Sequence, residues 1–456
     1  MNHKLYHSNI IELRGIVKTT EKVKRLKEML EEDSQFAKIL RMALDSTVTY
    51  HMTTIPVMQP SRLVTRKPNF AEALLFLDKL SMKNGATKFD REQLGTLVAD
   101  PDMHALATMI VQKDLKCGVQ AKTVNKARPG TVFIMPYQRC STATKIDNIH
   151  WPAIMEVKAD GEFCNAIRTK QGVIYRTRPG LLFPLDNPEI DEAIMNIRSE
   201  PFILQGEFRV INMSGGGYMS RKRGNGILNS IAQCNQRAAK LYMDKIRYTI
   251  WDIIPYDDFF NGYCGIKLVK RKAMLKSVPV QDDENTSPIT KAKVYYPKSR
   301  LEALDLAQEW IEKGEEGGVV KNLDSIWKNH TSTDWIKLKE EKVCELRVVG
   351  SEPGKKGTKY ENCIGALICE SECGQLRVNV SGLTDEERNS NPEEYMRKIV
   401  SVRFNSVITS KSKDTASLNL PRVNRDVLGV LEIRPDKNEA DTLEYIKSIK
   451  NIKEVH

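Results

Sequence analysis

The spacing of apolar residues changes character twice along this chain. Up to about residue 128 it is helical: Val23, Leu26 and Leu30 fall on one face of TEKVKRLKEMLEE, and Phe36, Ile39, Leu40 and Leu44 on one face of the next segment. A proline-bearing stretch, IPVMQPSRLVTRKP, interrupts the pattern before AEALLFLDKL resumes it. A further helix is predicted from Asp102 through HALATMIVQKDL. ARPG at 127–130 then ends the helical regime. Short runs of strand character follow, namely PAIMEVKA, GVIYRTR, PFILQGEFRV, RYTIWDIIP and GGVVKNL, with one helical segment, SRLEALDLAQEWIEKG, among them. From about residue 343 come five more: VCELRVVG, CIGALICE, GQLRVNVSG, KIVSVRFNSVI and VLGVLEIRP. The expected architecture is multidomain. An all-α domain spans 1–130, an α+β or α/β core spans 131–342, and a small β-barrel such as an OB-fold spans 343–456.

Composition narrows the function classes. With 456 residues, 28% of them charged, and no apolar stretch of spanning length, the chain is not expected to be a membrane protein. Its amino terminus, MNHKLYHSNI, lacks the basic-then-apolar pattern of a secretory signal. Nine cysteines, an odd number with no CxxC spacing, argue against a zinc site or a disulfide framework and for a reduced, cytosolic compartment. The net charge is +11, and residues 1–150, with 23 Lys/Arg against 15 Asp/Glu, carry +8 of it. Positive charge gathered in one third of the chain predicts a polyanion partner, although a solvated helical surface alone would also produce it.

The chemistry centres on a lysine. In MEVKADGEF, Lys158 ends an apolar strand just before a turn at Asp160-Gly161. To act as a nucleophile a lysine must lose a proton from an amine whose ordinary pKa is about 10.4. Desolvation, neighbouring cations and bound metal all favour the neutral form. Taken alone, KxDG is four residues of ordinary turn. Its companions follow in a fixed order: Arg178 in TRPG, Glu207 in LQGEFRV at what reads as a strand end, Trp251-Asp252 in YTIWDIIP, and Glu316 in EEGGVVKN. Lys337 and Lys339 follow in WIKLKEE, and Arg434, Asp436 and Lys437 in EIRPDKNEAD. This series resembles the nucleotidyltransferase motifs of ATP-dependent DNA ligases, and runs closest to the T-even bacteriophage type. LKCGVQAKTVNKARPG, NGILN and CESECGQLRVNVSGL are also similar to that branch, so the resemblance covers essentially the whole chain.

The resemblance implies an ATP-grasp-like α+β adenylyltransferase core between an all-α DNA-binding domain and a C-terminal OB-fold. It implies that Lys158 attacks the α-phosphate of ATP, that AMP passes to the 5′-phosphate at a nick, and that the 3′-hydroxyl then displaces AMP. Glu207 and Glu316 become ligands of a divalent metal, Mg2+ or Mn2+, although a single strand-end glutamate is more often a surface salt bridge. Asp160 joins the metal through water or orients the ribose. Trp251 stacks on adenine, Glu156 accepts from its amino group, and Arg178 and Lys321 lie near the nucleotide. Lys337 and Lys339 alternate with apolar residues and so share a strand face, which the resemblance turns towards the α-phosphate. Arg434 and Lys437 orient pyrophosphate when the barrel swings over the nucleotide.

For DNA, the candidates are Lys116, Lys122 and Lys126 in LKCGVQAKTVNKARPG, a turn followed by a basic helix start. Arg221, Lys222 and Arg223 join them in SGGGYMSRKRGNG (214–226), a glycine-rich phosphate cradle or a surface loop, and not a Walker A sequence. Two positions depart from the family pattern. The arginine of KxDGxR is Phe163, which Arg168 cannot replace from the opposite strand face, and Gln205 stands for the acid before Gly-Glu. The expected partners are ATP and nicked duplex DNA, with no membrane, for a monomer in the host bacterial cytoplasm if phage-encoded. An RNA ligase or a capping guanylyltransferase would use the same lysine and metal acids, but the helical domain ahead of Lys158 favours a DNA ligase. A non-catalytic OB-fold nucleic-acid binder would leave Lys158, Glu207 and Glu316 unexplained.

Overall fold

The structure is a computed structural model describing residues 2–58, 67–83, 85–212, 216–278, 280, 287–339, 342–356, 360–409, 415–426 and 429–449. It divides into two compact units, Met1–Leu338 and Lys339–His456. Among the described residues, no helix is long and apolar enough to cross a membrane.

The first unit opens with helices α1 (His3–Gly15), α2 (Thr19–Glu32), α3 (Phe36–Leu44), α4 (Phe70–Leu80), α5 (Lys88–Leu97), α6 (Pro101–Val111) and α7 (Ala121–Ala127). Their inward faces share one core that includes Ile10, Leu26, Phe36, Leu40, Leu74 and Ile110. On α2 Leu26 and Leu30 face inward as expected, while Val23 does not. Lys22 is 5% exposed while Val23 is half-buried, because the Lys22 ammonium donates to the Cys117 carbonyl at 2.5 Å and its stem covers apolar surface. Helix α6 stops at Val111, short of the expected QKDL, as Lys113 turns left-handed at φ 57° and Leu115 drops into the core. Two helices had no clear periodic signal. In KFDREQLGTL, α5 starts where Thr87 and Asp90 form a reciprocal capping box. In α1 the buried face mixes Tyr6 and Asn9 with Ile10 and Leu13.

Among the described residues, the strands that follow are β1 (Arg139–Thr142), β2 (Ile154–Val157), β3 (Glu162–Thr169), β4 (Gly172–Thr177), β5 (Phe202–Val210), β6 (Ile246–Pro255), β7 (Tyr263–Cys264), β8 (Ile289–Lys291), β9 (Val294–Tyr295), β10 (Gly317–Lys321), β11 (Trp327–Lys328) and β12 (Thr331–Lys339). Helices α8 (Pro188–Met195), α9 (Arg221–Ala232), α10 (Gln236–Tyr242), α11 (Tyr256–Phe260), α12 (Leu268–Lys276) and α13 (Arg300–Glu312) lie between them. One five-stranded sheet runs β1-β12-β10-β2-β9 and a second runs β4-β3-β5-β6-β8. Ala303, Ala307 and Trp310 of α13 pack on Met155, Val320 and Ile336 of the first sheet. Phe202, Leu204, Phe208 and Tyr248 anchor the second. The chain passes from the first sheet to the second between β2 and β3, over residues 158–161, which is where the sequence placed its candidate nucleophile.

The second unit contains β13 (Lys342–Pro353), β14 (Ile364–Glu370), β15 (Arg377–Val380), β16 (Ile399–Phe404), β17 (Ser406–Ile408), β18 (Ser417–Asn419) and β19 (Arg422–Val423), with helices α14 (Asp385–Asn389) and α15 (Leu443–Ser448). Its sheet order is β15-β14-β13-β16-β19, around a core that includes Leu346, Leu367, Val400, Phe404 and Ile446. Two strand expectations are corrected here. KIVSVRFNSVI splits into β16 and β17, and the fifth place in the sheet belongs to β19. The described part of VLGVLEIRP contributes only the bridges Val400 to Ile433 and Arg425 to Leu431. The ladders among the described residues form an open sheet, whose two ends are joined by one parallel bridge, Ser381 to Arg422.

One ion pair pins α12 to β6. Arg271 and Asp252 are fully buried, with Nε donating to Oδ1 at 2.8 Å and Nη2 to Oδ2 at 3.0 Å. Truncating one partner strands the other charge away from water, so Asp252→Ala is expected to cost about 3–5 kcal/mol of unfolding free energy. Urea denaturation of the whole protein measures this, and a loss under about 1 kcal/mol would show that Arg271 finds solvent or another partner.

Candidate active site

The backbone builds the site by joining the two sheets. The Lys158 N–H donates to the Gly317 carbonyl at 2.8 Å, extending the antiparallel β2–β10 ladder by one residue and bringing Glu316 beside the lysine. Its Nζ donates to Glu316 Oε2 at 2.5 Å. Three residues on, Gly161 enters the second sheet, and its N–H donates to Glu207 Oε1 at 2.7 Å. A Cβ at Gly161 would lie 2.2 Å from the Phe208 carbonyl oxygen, so the close approach of this turn to β5 admits only glycine. Glu207 sits in the middle of β5, not at its end, flanked by Phe163 on β3 and Thr249 on β6. A lysine from one sheet thus meets an acid from each.

Charge is unevenly matched there. Burial works against the Lys158 ammonium, yet Glu316, Glu207 and Asp160 outweigh it and hold its pKa above the ordinary value. Burial pushes the Glu207 carboxyl up to about 7, with Glu316 and Asp160 adding to the rise while Lys158 and the Gly161 N–H oppose it. Three acidic side chains thus act on one lysine. Among the described residues no three acidic, histidine or cysteine side chains converge as a ready-made metal centre.

Beside this cluster lies an aromatic group. The β5–β6 ladder slips between Gln205 and Gly206, pairing them with Asp252 and Ile250 and leaving Trp251 as the bulged residue. A bulge of this kind re-aims a side chain. Trp251 is half-buried and lies 5.9 Å from the Phe163 ring, which meets Tyr137 edge-on at 4.9 Å. The exposed Arg178 guanidinium sits 4.5 Å above the Tyr137 ring. Gln205, at the position of the expected acid, is buried in a neutral network: it accepts from Trp327 Nε1 at 3.0 Å and donates to Asn165 Oδ1 at 3.1 Å.

Glu156, two residues before Lys158, is buried between two lysines, Lys321 and Lys272, each of which donates to one of its oxygens. Lys321 lies 4.2 Å from the Trp335 ring centre. Sequence reasoning missed Lys272. It comes from α12 and also donates to the Trp251 carbonyl at 2.5 Å; its position in LVKRKAML gave no signal beyond a basic helix. Lys337 and Lys339 alternate with the buried Leu338 on β12 as expected. Lys337 joins Lys321 and Lys158 in the field acting on the Cys140 thiol, where burial raises the pKa and the three lysines lower it.

In the second unit Arg434 and Lys437 converge on one carboxylate, that of Glu345 on β13, through different oxygens. Arg434 also forks onto Asp436, with its Nη2 at 2.7 Å. Lys116, Lys122 and Lys126 are exposed, the first ahead of α7, the second at its start and the third in its last turn. In the glycine-rich stretch, residues 214 and 215 lie outside the described residues. Arg221, Lys222 and Arg223 do not belong to a loop there but form the first turn of α9, after the Ser220 N-cap position.

The Lys158–Glu316 contact predicts a measurable pH effect. Glu316 is the strongest of the influences raising the Lys158 pKa, so Glu316→Gln should move the midpoint for its reaction with an amine-selective acylating reagent to lower pH. Peptide mapping of labelled Lys158 across pH reads this, and an unmoved midpoint would show that the ammonium is not held by Glu316.

Comparison with known proteins agrees with this geometry. Residues 136–339 match the family model described as the ATP dependent DNA ligase domain. The DNA ligases of Enterobacteria phages T4 and T6 are each 26% identical over 74% of this chain and 76% of theirs. Among solved structures, the chain named Pmar-Lig_PreS3 superposes with a TM-score of 0.61 at 20% identity, covering 91% of this chain and 98% of that one. Residues 136–339 thus match an ATP-dependent DNA ligase domain, and most of the chain is similar to the phage DNA ligases.

Proposed function

We propose that the chain seals 5′-phosphate/3′-hydroxyl nicks in duplex DNA through a lysyl-adenylate on Lys158. The observation that carries this reading is the sheet crossing, which holds the Lys158 amine among Glu207, Glu316 and Asp160 with a half-buried Trp251 nearby. In the first step the neutral Nζ attacks the α-phosphorus of ATP. An N–P bond forms, and the bond to the pyrophosphate leaving group breaks. Glu316 hydrogen-bonds the amine and is within reach of the proton it must shed. In the second step a 5′-phosphate oxygen displaces Nζ, which leaves as a reprotonated amine. In the third the 3′-hydroxyl attacks the 5′-phosphate, and AMP departs.

The remaining side chains supply grip. Trp251, re-aimed by its bulge, is placed to stack on adenine, and Glu156 is placed to accept from the adenine amino group, with Lys272 and Lys321 holding it ionised. Arg178, Lys337 and Lys339 would neutralise phosphate charge. A divalent cation held by Glu207 and Glu316, with Asp160 beside them, would add positive charge at the transferring phosphoryl group. Residues 1–130, with exposed Lys116, Lys122 and Lys126, would lie on the DNA backbone, with 131–342 as the adenylation domain. Arg221, Lys222 and Arg223 at the start of α9 would add further phosphate contacts. Residues 343–456 fit an OB-fold barrel. The parallel bridge from Ser381 to Arg422, which joins the two ends of the five-stranded order, supports that reading. Its Arg434 and Lys437, gathered by Glu345, would orient pyrophosphate as it leaves.

Incubation with α-labelled ATP tests the central step. Wild-type protein should acquire acid-labile covalent AMP, and Lys158→Ala should acquire none while still binding nicked duplex; sealing retained by that variant would defeat the assignment. Lys437→Ala should slow self-adenylation by at least about tenfold while sparing the sealing of a pre-adenylated nick. Equal losses in the two assays would remove its role with pyrophosphate.

A further inference from the structure

The family pattern puts an arginine where this chain has Phe163, and the structure shows what surrounds that change. Phe163 lies opposite Glu207 across the β3–β5 ladder. On its other side the β3–β4 ladder ends at Cys164 and Thr177, so one residue further out Phe163 is followed by Arg178. Tyr137, from the segment between α7 and β1, ties these together. Its N–H donates to Asn329 Oδ1 at 3.0 Å, its ring takes Phe163 edge-on at 4.9 Å and 85°, and the Arg178 guanidinium lies 4.5 Å from its centroid. Phe163 in turn touches Trp251 at 5.9 Å. The contacts run unbroken from the exposed arginine to the tryptophan proposed to carry adenine.

The other arginines described nearby are engaged elsewhere: Arg139, 6.0 Å from the same Tyr137 ring, donates its Nε to Thr331 Oγ1 at 3.3 Å. Arg168 is 7% exposed, and its Nη1 donates to the Ser199 carbonyl. Arg209 shares a strand face with Glu207 but is spent elsewhere: its guanidinium lies 3.4 Å from the Tyr218 ring centre and 3.7 Å from Glu315. Arg178 is exposed, and the only contact found for its guanidinium among the described residues is an aromatic face, which leaves its five donors open to an oxyanion.

We infer that Tyr137 is a positioning residue: its ring, backed by Phe163, holds Arg178 towards a substrate phosphate. The inference rests on the lysyl-adenylate reading for the identity of its substrates. A cation–π platform suits the task because it fixes the plane of the guanidinium without using any of its N–H donors. The phosphate belongs to ATP or to the 5′ end of the nick.

Two assays on the full-length protein separate those sources: self-adenylation against ATP concentration, and sealing against the concentration of a pre-adenylated nick. Tyr137→Leu should raise KM about tenfold in at least one assay, the scale of a partly desolvated cation–π contact. The kcat should stay within about twofold, as expected when uniform binding is lost. A KM rise confined to the first assay assigns ATP, and one confined to the second assigns the nick. Tyr137→Phe keeps the ring and should behave as wild type. Adding Tyr137→Leu to Arg178→Ala should cost nothing further. Additive losses in the double variant, Tyr137→Phe as damaging as Tyr137→Leu, or a fall in kcat with KM unchanged would each overturn the proposal. Absence of covalent AMP on the wild-type protein would instead defeat the lysyl-adenylate reading, so the two failures are distinguishable.

Discussion

Everything at this site depends on one turn between two sheets. Lys158 closes a ladder of the first sheet and Gly161 opens the second, so four residues decide how far the amine stands from Glu207 and Glu316. The turn is tight because the Gly161 backbone lies against the Phe208 carbonyl, where no side chain fits. A lysine on a longer connection would sample solvent and lose the carboxylates that balance its charge. Held here, it keeps a raised pKa, and in the proposed reaction it would become nucleophilic once something else satisfies those acids.

A second set of buried charges gives the turn a rigid frame. Glu156 between Lys272 and Lys321, and Asp252 with Arg271, lie one residue or two from Lys158 and Trp251 along their strands. Neither group is a cheap way to stabilise a core, since burying ions costs solvation that the pair only partly recovers. Their value is positional. Arg271 and Lys272 are neighbours on α12, and between them they fix β6 at Asp252, the Trp251 carbonyl and Glu156 on β2. One helix thus sets the distance between the strand that carries the lysine and the strand that carries the tryptophan.

How much of this was legible in the sequence follows from the range of each interaction. The strand that ends at Lys158 is visible because alternation and a following Asp-Gly are local signals. So are the two glutamates, once their order along the chain is noticed. Glu207 was misplaced to a strand end because Gly206 looks like a terminator, whereas here it lets Tyr248 pack where a Cβ would lie 2.6 Å from its ring. Lys272, Tyr137 and Glu345 left no trace, since each meets a partner far along the chain: Lys272 with Glu156, Tyr137 with Asn329, Glu345 with Arg434. The barrel-like unit shows the same limit. Four of its strands were readable from their apolar runs. Its last place in the sheet goes to Arg422–Val423, two residues too short to carry any periodicity.

The two departures from the family pattern have different physical characters. At Gln205 a charge is replaced by a neutral group that satisfies the same buried position: its amide both donates and accepts, so Asn165 and Trp327 are served without an ion to desolvate. At Phe163 a charge is replaced by a ring, which can only pack. Nothing in a phenyl group binds an oxyanion, so the ring's part here is packing: Phe163 meets Tyr137 edge-on, and the Tyr137 ring carries the Arg178 guanidinium at 4.5 Å. The first departure keeps a buried hydrogen-bond network satisfied, and the second builds an aromatic cluster beside Glu207.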